Sequence, residues 1–150
     1  MESMVQHAEE DIRGNKMRKL LAVIALTQIL SGCALYDAYF MARFDNNEYG
    51  LINRIRTESN LGAAKCGKPE VVQVVDNLYY TAVEFRNYSQ SIPHNEEATK
   101  MGNELAEIVK GLSDRYHGTE PVSMMYCTTK FSSIERNAVN IQNVIGKKPR

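Results

Sequence analysis

Neither sign of charge is in excess in this chain: 18 Lys and Arg stand against 18 Asp and Glu. Residues 1–32 carry four of each, so residues 33–150 balance as well. No basic stripe with interleaved aromatics is present, and nucleic acid is therefore not an expected partner. Cysteine is scarce, at positions 33, 66 and 127 only, with no CxxC pair and no histidine spacing of the kind that holds zinc. Of the three histidines, His7 lies in the opening segment. His94 and His117 bracket one helical segment, about 34 Å apart at 1.5 Å per residue, too far for a shared site. A glycine-rich phosphate loop is missing, no serine has a neighbouring base, and Glu104, Glu107 and Asp114 fall on polar faces as solvated charges. No catalytic residue, metal site, small-molecule substrate or bound cofactor is expected, and an enzyme is the least favoured class.

Long apolar runs are also lacking. The stretch Leu20–Leu30 would reach about 16 Å as a helix, against a hydrocarbon core about 30 Å thick. Arg18 and Lys19 precede it, and Ser31 and Gly32 close it, which is the charged, apolar, small-residue order of a secretory signal. A buried helix of the domain would need polar positions on one face, and none occurs before Thr27. The tetrad Leu30-Ser31-Gly32-Cys33 resembles the lipobox of bacterial lipoproteins, host-encoded or phage-encoded. The resemblance covers residues 17–33 and implies that signal peptidase II recognises Leu30, Ser31, Gly32 and Cys33. It further implies that Cys33 is left as the lipidated N-terminus and that Ala34 directs the product to the outer membrane. Several acyl chains anchor stably where a single one binds weakly. The expected organisation is an upstream extension over 1–16, with translation starting at Met17, then a cleavable signal peptide over 17–32, a lipidated linker over 33–45 and a helical domain over 46–150. Export exposes the remaining cysteines to an oxidising compartment, and Cys66 and Cys127 are expected to pair.

Within the last segment the apolar spacing is helical and no strand pattern competes. Asp45 reads as an N-cap, with Glu48 at the third helical position and Phe44 against Tyr49 as a staple. This predicts a first helix to about Asn60 with Leu51, Ile52 and Ile55 inward. The same residues superficially resemble the start of an EF-hand loop, but Tyr49 and Arg56 stand where calcium needs oxygen ligands. Pro69 opens a second helix with Val71, Val75, Leu78, Ala82, Phe85 and Ile92 in its stripe. Asn95 caps a third, striped by Ala98, Met101, Leu105, Ile108, Leu112 and Tyr116. A fourth carries Met124, Cys127, Phe131, Ile134, Ala138, Ile141 and Ile145, ending at Gly146 and Pro149. Short connections make neighbours antiparallel, so the expected fold is all-α: an up-down-up-down four-helix bundle with one disulfide. That topology brings Cys66 and Cys127 to one end and places the N-terminus of the first helix with the C-terminus of the fourth at the other, toward the lipid. The tail Gly146-Lys147-Lys148-Pro149-Arg150 is expected to be solvated, with contact to anionic lipid as its alternative.

Surface residues are left to carry function. Tyr36, Tyr39, Arg43, Tyr80 and Arg86 form a candidate binding face, because exposed tyrosine and arginine are typical anchors. The expected role is a non-catalytic binding or tethering module on the periplasmic face of the outer membrane. It would be held there by lipid and engage an envelope protein. Its general design resembles that of secretion-system pilotins, an analogy at the level of fold. A phage-encoded envelope lipoprotein active in lysis or superinfection exclusion is the alternative, and a periplasmic enzyme a remote one.

Overall fold

The computed structural model describes residues 41–150. The expected signal peptide and its recognition tetrad, Cys33, Tyr36 and Tyr39 lie outside the described residues. Residues Met41–Arg150 form one compact unit of four helices: α1 (Asn46–Ala63), α2 (Val71–Ser91), α3 (Glu96–Tyr116) and α4 (Met124–Gly146). Each helix packs on its two neighbours, α1 on α2 and α4, α3 on α2 and α4, while the backbones of the diagonal pairs stay apart. Among the described residues there is no strand. The up-down-up-down bundle is the one expected from the short connections.

Local chemistry sets the helix starts. The Asp45 carboxylate accepts the backbone N–H groups of Asn47 and Glu48, both at 2.8 Å, and Phe44 meets Tyr49 with ring centroids 5.5 Å apart. Ser123 caps α4 by accepting the Tyr126 N–H at 3.2 Å. α2 begins at Val71, with Pro69 in the preceding turn. Asn95 precedes α3 as expected, but its side chain makes no capping bond because it is used elsewhere.

The core is drawn from all four stripes, with Ile52, Ile55, Val75, Leu78, Phe85, Leu105, Leu112, Phe131, Ile134 and Ile145 fully buried. Three stripes differ from expectation. In α3 the buried line runs through Gly102, Ala106, Val109 and Ser113 beside Leu105 and Leu112, leaving Met101 and Ile108 half-buried. Small residues there let α3 approach α2: a methyl group on Gly102 would sit 3.0 Å from the Phe85 ring. In α4, Met124 is exposed rather than inward, because it stands in the first turn beyond the last core layer. Ile92 is half-buried and lies just past the end of α2.

Cys66 and Cys127 are joined by a disulfide, with Cα atoms 5.8 Å apart across a sequence separation of 61. It closes the end formed by the α1–α2 and α3–α4 connections, opposite the start of α1.

Candidate functional site

The end where α1 begins and α4 finishes holds a sealed polar cluster. Glu48 and Lys148 are both buried, and their charges pair at 2.5 Å. The second Glu48 oxygen accepts the Asn95 amide at 2.6 Å and the Ser89 hydroxyl at 2.9 Å. Lys148 also donates to the Asn95 side-chain oxygen at 2.5 Å. The Ser89 carbonyl takes bonds from Asn95 and Thr99, both at 3.0 Å. A buried charge is tolerated only when paired and hydrogen-bonded, and here every carboxylate oxygen is engaged. The cluster ties α1, the end of α2, the start of α3 and the tail after α4 into one knot. The tail, expected to be solvated, is so only in part: Gly146, Lys147 and Arg150 are exposed, but Lys148 is interior, the Pro149 carbonyl accepts the Phe44 N–H at 2.8 Å, and Arg150 lies over the Phe44 ring. With its polar atoms consumed internally, the knot is a fastening rather than a site for an outside substrate.

One element of this knot was open to sequence reasoning. Glu48, Ile52, Ile55, Ser59 and Gly62 share the spacing of the buried α1 face, and all are interior. A carboxylate on that stripe signals a buried partner, although nothing in GKKPR marks Lys148 as that partner.

Of the proposed anchors, the three that are described, Arg43, Tyr80 and Arg86, do not converge. Arg43 is exposed near the start of α1, and Tyr80 is 73% exposed midway along α2. Arg86 is half-buried, and its backbone lies against Gly102 on the flank of α2 that meets α3. Six residues of α-helix turn Arg86 by about 120° from Tyr80, so the two share no face. Four residues past Tyr80, Glu84 approaches Arg54 of α1 at 3.9 Å. Tyr88, one further turn along, donates its hydroxyl proton to Asp45 at 3.1 Å and accepts from Asn47, and is thereby committed to the α1 cap.

Chemistry elsewhere is sparse. His117 meets Asp76 at 2.7 Å, an ion pair when the ring is protonated. Among the described residues no group of three or more His, Cys, Asp or Glu side chains could hold a metal ion. Glu58 faces Thr81 between α1 and α2 with one carboxylate oxygen buried and unpartnered. Burial pushes its carboxyl above the ordinary range, opposed by the Thr81 hydroxyl and the Arg54 charge. Among the described residues no helix is long and apolar enough to cross a membrane.

The disulfide end offers a different kind of surface. Leu61, Met124 and Met125 are exposed there, at 61, 62 and 75%. Next to Met124, which reaches Gly67, an open hollow of about 490 Å³ lies between the two connections, with Pro69, Val72, Tyr116, Pro121 and Val122 in its wall. Sequence reasoning assigned Met124 to the core and passed over Met125. The signal was their position directly after the Ser123 cap, where the first helical residues overhang the core. A search of protein-family models, of curated proteins and of solved structures finds no match to this chain.

Proposed function

We propose that the chain is a lipid-anchored envelope protein, held to the outer membrane through Cys33 with its helical domain on the periplasmic side, acting without catalysis as a binding or tethering module. The observation that carries this reading is the tetrad Leu30-Ser31-Gly32-Cys33, placed directly after a charged and then apolar run. The Cys66–Cys127 bridge supports it, because disulfides persist in exported proteins and are rare in reducing compartments. The entry of the chain into the bundle supports it further. The Ala42 N–H donates to the His94 carbonyl at 3.1 Å and the Phe44 N–H to Pro149, so the chain is fastened from Ala42 onward. The segment from Cys33 to Met41 spans at most about 28 Å when fully extended. A domain tethered so closely stays beside its membrane.

Incorporation of radioactive palmitate tests the anchor. Label is expected in the wild-type chain and absent from Cys33→Ala, with the wild type in the outer-membrane fraction and the variant released to the soluble periplasm. Equal labelling of the two, or none of either, sinks the reading.

A further inference from the structure

The sealed knot at the base of the bundle holds a primary amine, a carboxamide and a carboxylate in mutual contact. Lys148, Asn95 and Glu48 are 7, 4 and 0% exposed, while the other cations of the tail, Lys147 and Arg150, face solvent. An ion pair needs only Lys148 and Glu48; the carboxamide between them adds a reactive carbon. Lys148 Nζ stands 2.5 Å from Asn95 Oδ1, and the carbonyl carbon is one C=O bond further on. Amine and carbon are therefore within about 3.7 Å, close to the separation of about 3–3.5 Å from which a nucleophile attacks. Glu48 spans the attacking and the leaving nitrogen: its Oε2 meets Lys148 Nζ at 2.5 Å, and its Oε1 accepts from Asn95 Nδ2 at 2.6 Å. Nδ2 also donates to the Ser89 carbonyl at 3.0 Å, which fixes the plane of the amide.

We propose that the knot closes covalently: Lys148 and Asn95 join in an intramolecular isopeptide bond, with Glu48 as the proton carrier. The ion pair is the state from which the bond forms, and the reaction runs once. Glu48 Oε2 takes a proton from the Lys148 ammonium, giving a free amine and a carboxylic acid with no change in net charge. The amine lone pair attacks Asn95 Cγ, forming the Nζ–Cγ bond and moving the π electrons onto Oδ1. Nζ then gives up a second proton as Nδ2 receives one through the carboxyl group that faces both nitrogens. The carbonyl re-forms, the Cγ–Nδ2 bond breaks, and ammonia leaves with its electron pair. Ammonium, carboxamide and carboxylate have become secondary amide, ammonia and carboxylic acid, with no oxidant or co-reactant. Burial keeps out the water that would compete for the carbonyl carbon. The bond joins the start of α3 to the tail after α4, across a separation of 53 residues, beside the point where Pro149 holds Phe44. It thereby locks the end of the bundle where the chain enters.

Peptide mass mapping tests this on the full chain, purified folded, then reduced and digested with trypsin. The expected product is the peptide 87–100 joined through Asn95 to Lys148-Pro149-Arg150, lighter than the sum of the two by one ammonia. Fragmentation spectra should place the junction at Asn95 and Lys148. Glu48→Gln keeps the size of the side chain but carries no proton between the nitrogens, and Lys148→Arg keeps the charge but is a poor nucleophile. The linked peptide should be lost from both, with circular dichroism showing that each variant is folded. Recovery of the peptides 87–100 and 148–150 only as separate species from the folded wild type overturns the proposal, and that result stands whether or not a variant folds. Linkage undiminished in Glu48→Gln overturns the part assigned to Glu48.

Discussion

Lys148 and Glu48 form the pair on which the base of the bundle depends. Removing one partner of a buried ion pair leaves an uncompensated charge, and Lys148→Met is expected to cost about 3–5 kcal/mol, read from the urea midpoint. Glu48→Leu combined with Lys148→Met should cost clearly less than the sum of the single changes, because neither then strands a charge. A loss below about 1 kcal/mol in the single Lys148 variant would mean that water reaches Glu48. Glu58 behaves in the opposite sense. Its folded pKa lies above the unfolded value, so the folded state binds the proton more tightly, and stability falls as pH rises through the window between the two. Glu58→Gln should therefore be more stable than wild type at neutral pH, and the advantage should vanish below the ordinary carboxylate range. Melting temperatures of both proteins across pH 3.5 to 7.5 read this directly; an advantage that is constant with pH refutes it. Both residues show where a sequence pattern stops. Glu48 reads in the sequence as the third residue of a capped helix, yet it falls on the apolar stripe and its partner lies 100 residues away, a pairing that spacing cannot encode.

Glycine separates what a helix tolerates from what helix packing tolerates. A methyl group at Gly62 in α1 would lie 2.3 Å from the buried Phe131 ring of α4. Gly50, in the same helix, has open space around the corresponding position. Alanine favours a helix over glycine by about 1 kcal/mol, so Gly50→Ala should stabilise by roughly that amount. Gly62→Ala should instead destabilise by about 1–3 kcal/mol, since overpacking outweighs propensity, and Phe131→Leu in the same chain should recover part of the loss. Urea titrations of the four proteins decide it, and equal effects of the two alanines would show that α1 and α4 slide apart at no cost. The turn into α3 makes the same point through the backbone: His94 holds φ at 59°, a region where histidine occurs but branched residues are outliers. The existence and order of the helices were legible because their apolar periods are long and their caps explicit. The rotation of α3 was not. Its contact line is set by Gly102 and Ala106, whose value lies in their smallness and leaves no mark in a hydrophobic pattern.

At the scale of the whole molecule, one end is fastened by charge and the other by a covalent bond. Pairing of Cys66 with Cys127 was legible in advance because antiparallel topology and cysteine number converge on it. The knot at the opposite end was not, since its four contributors are ordinary polar residues in four separate places. Closing a loop of 61 residues restrains the unfolded chain by about 4 kcal/mol on the chain-entropy account, a mechanism that is model-dependent. For a domain of this size that is a large fraction of total stability. Reduction, or the double substitution Cys66→Ala with Cys127→Ala, should therefore lower the unfolding free energy by about 2–5 kcal/mol. The loss should appear first at the disulfide end. Amide exchange is expected to accelerate in residues 61–72 and 116–128, while the α1 N-terminus and the Asn95 region, held by Glu48 and Lys148, keep their protection until global unfolding. Exchange that rises uniformly along all four helices would show instead that the bundle has no independent fastening at its base.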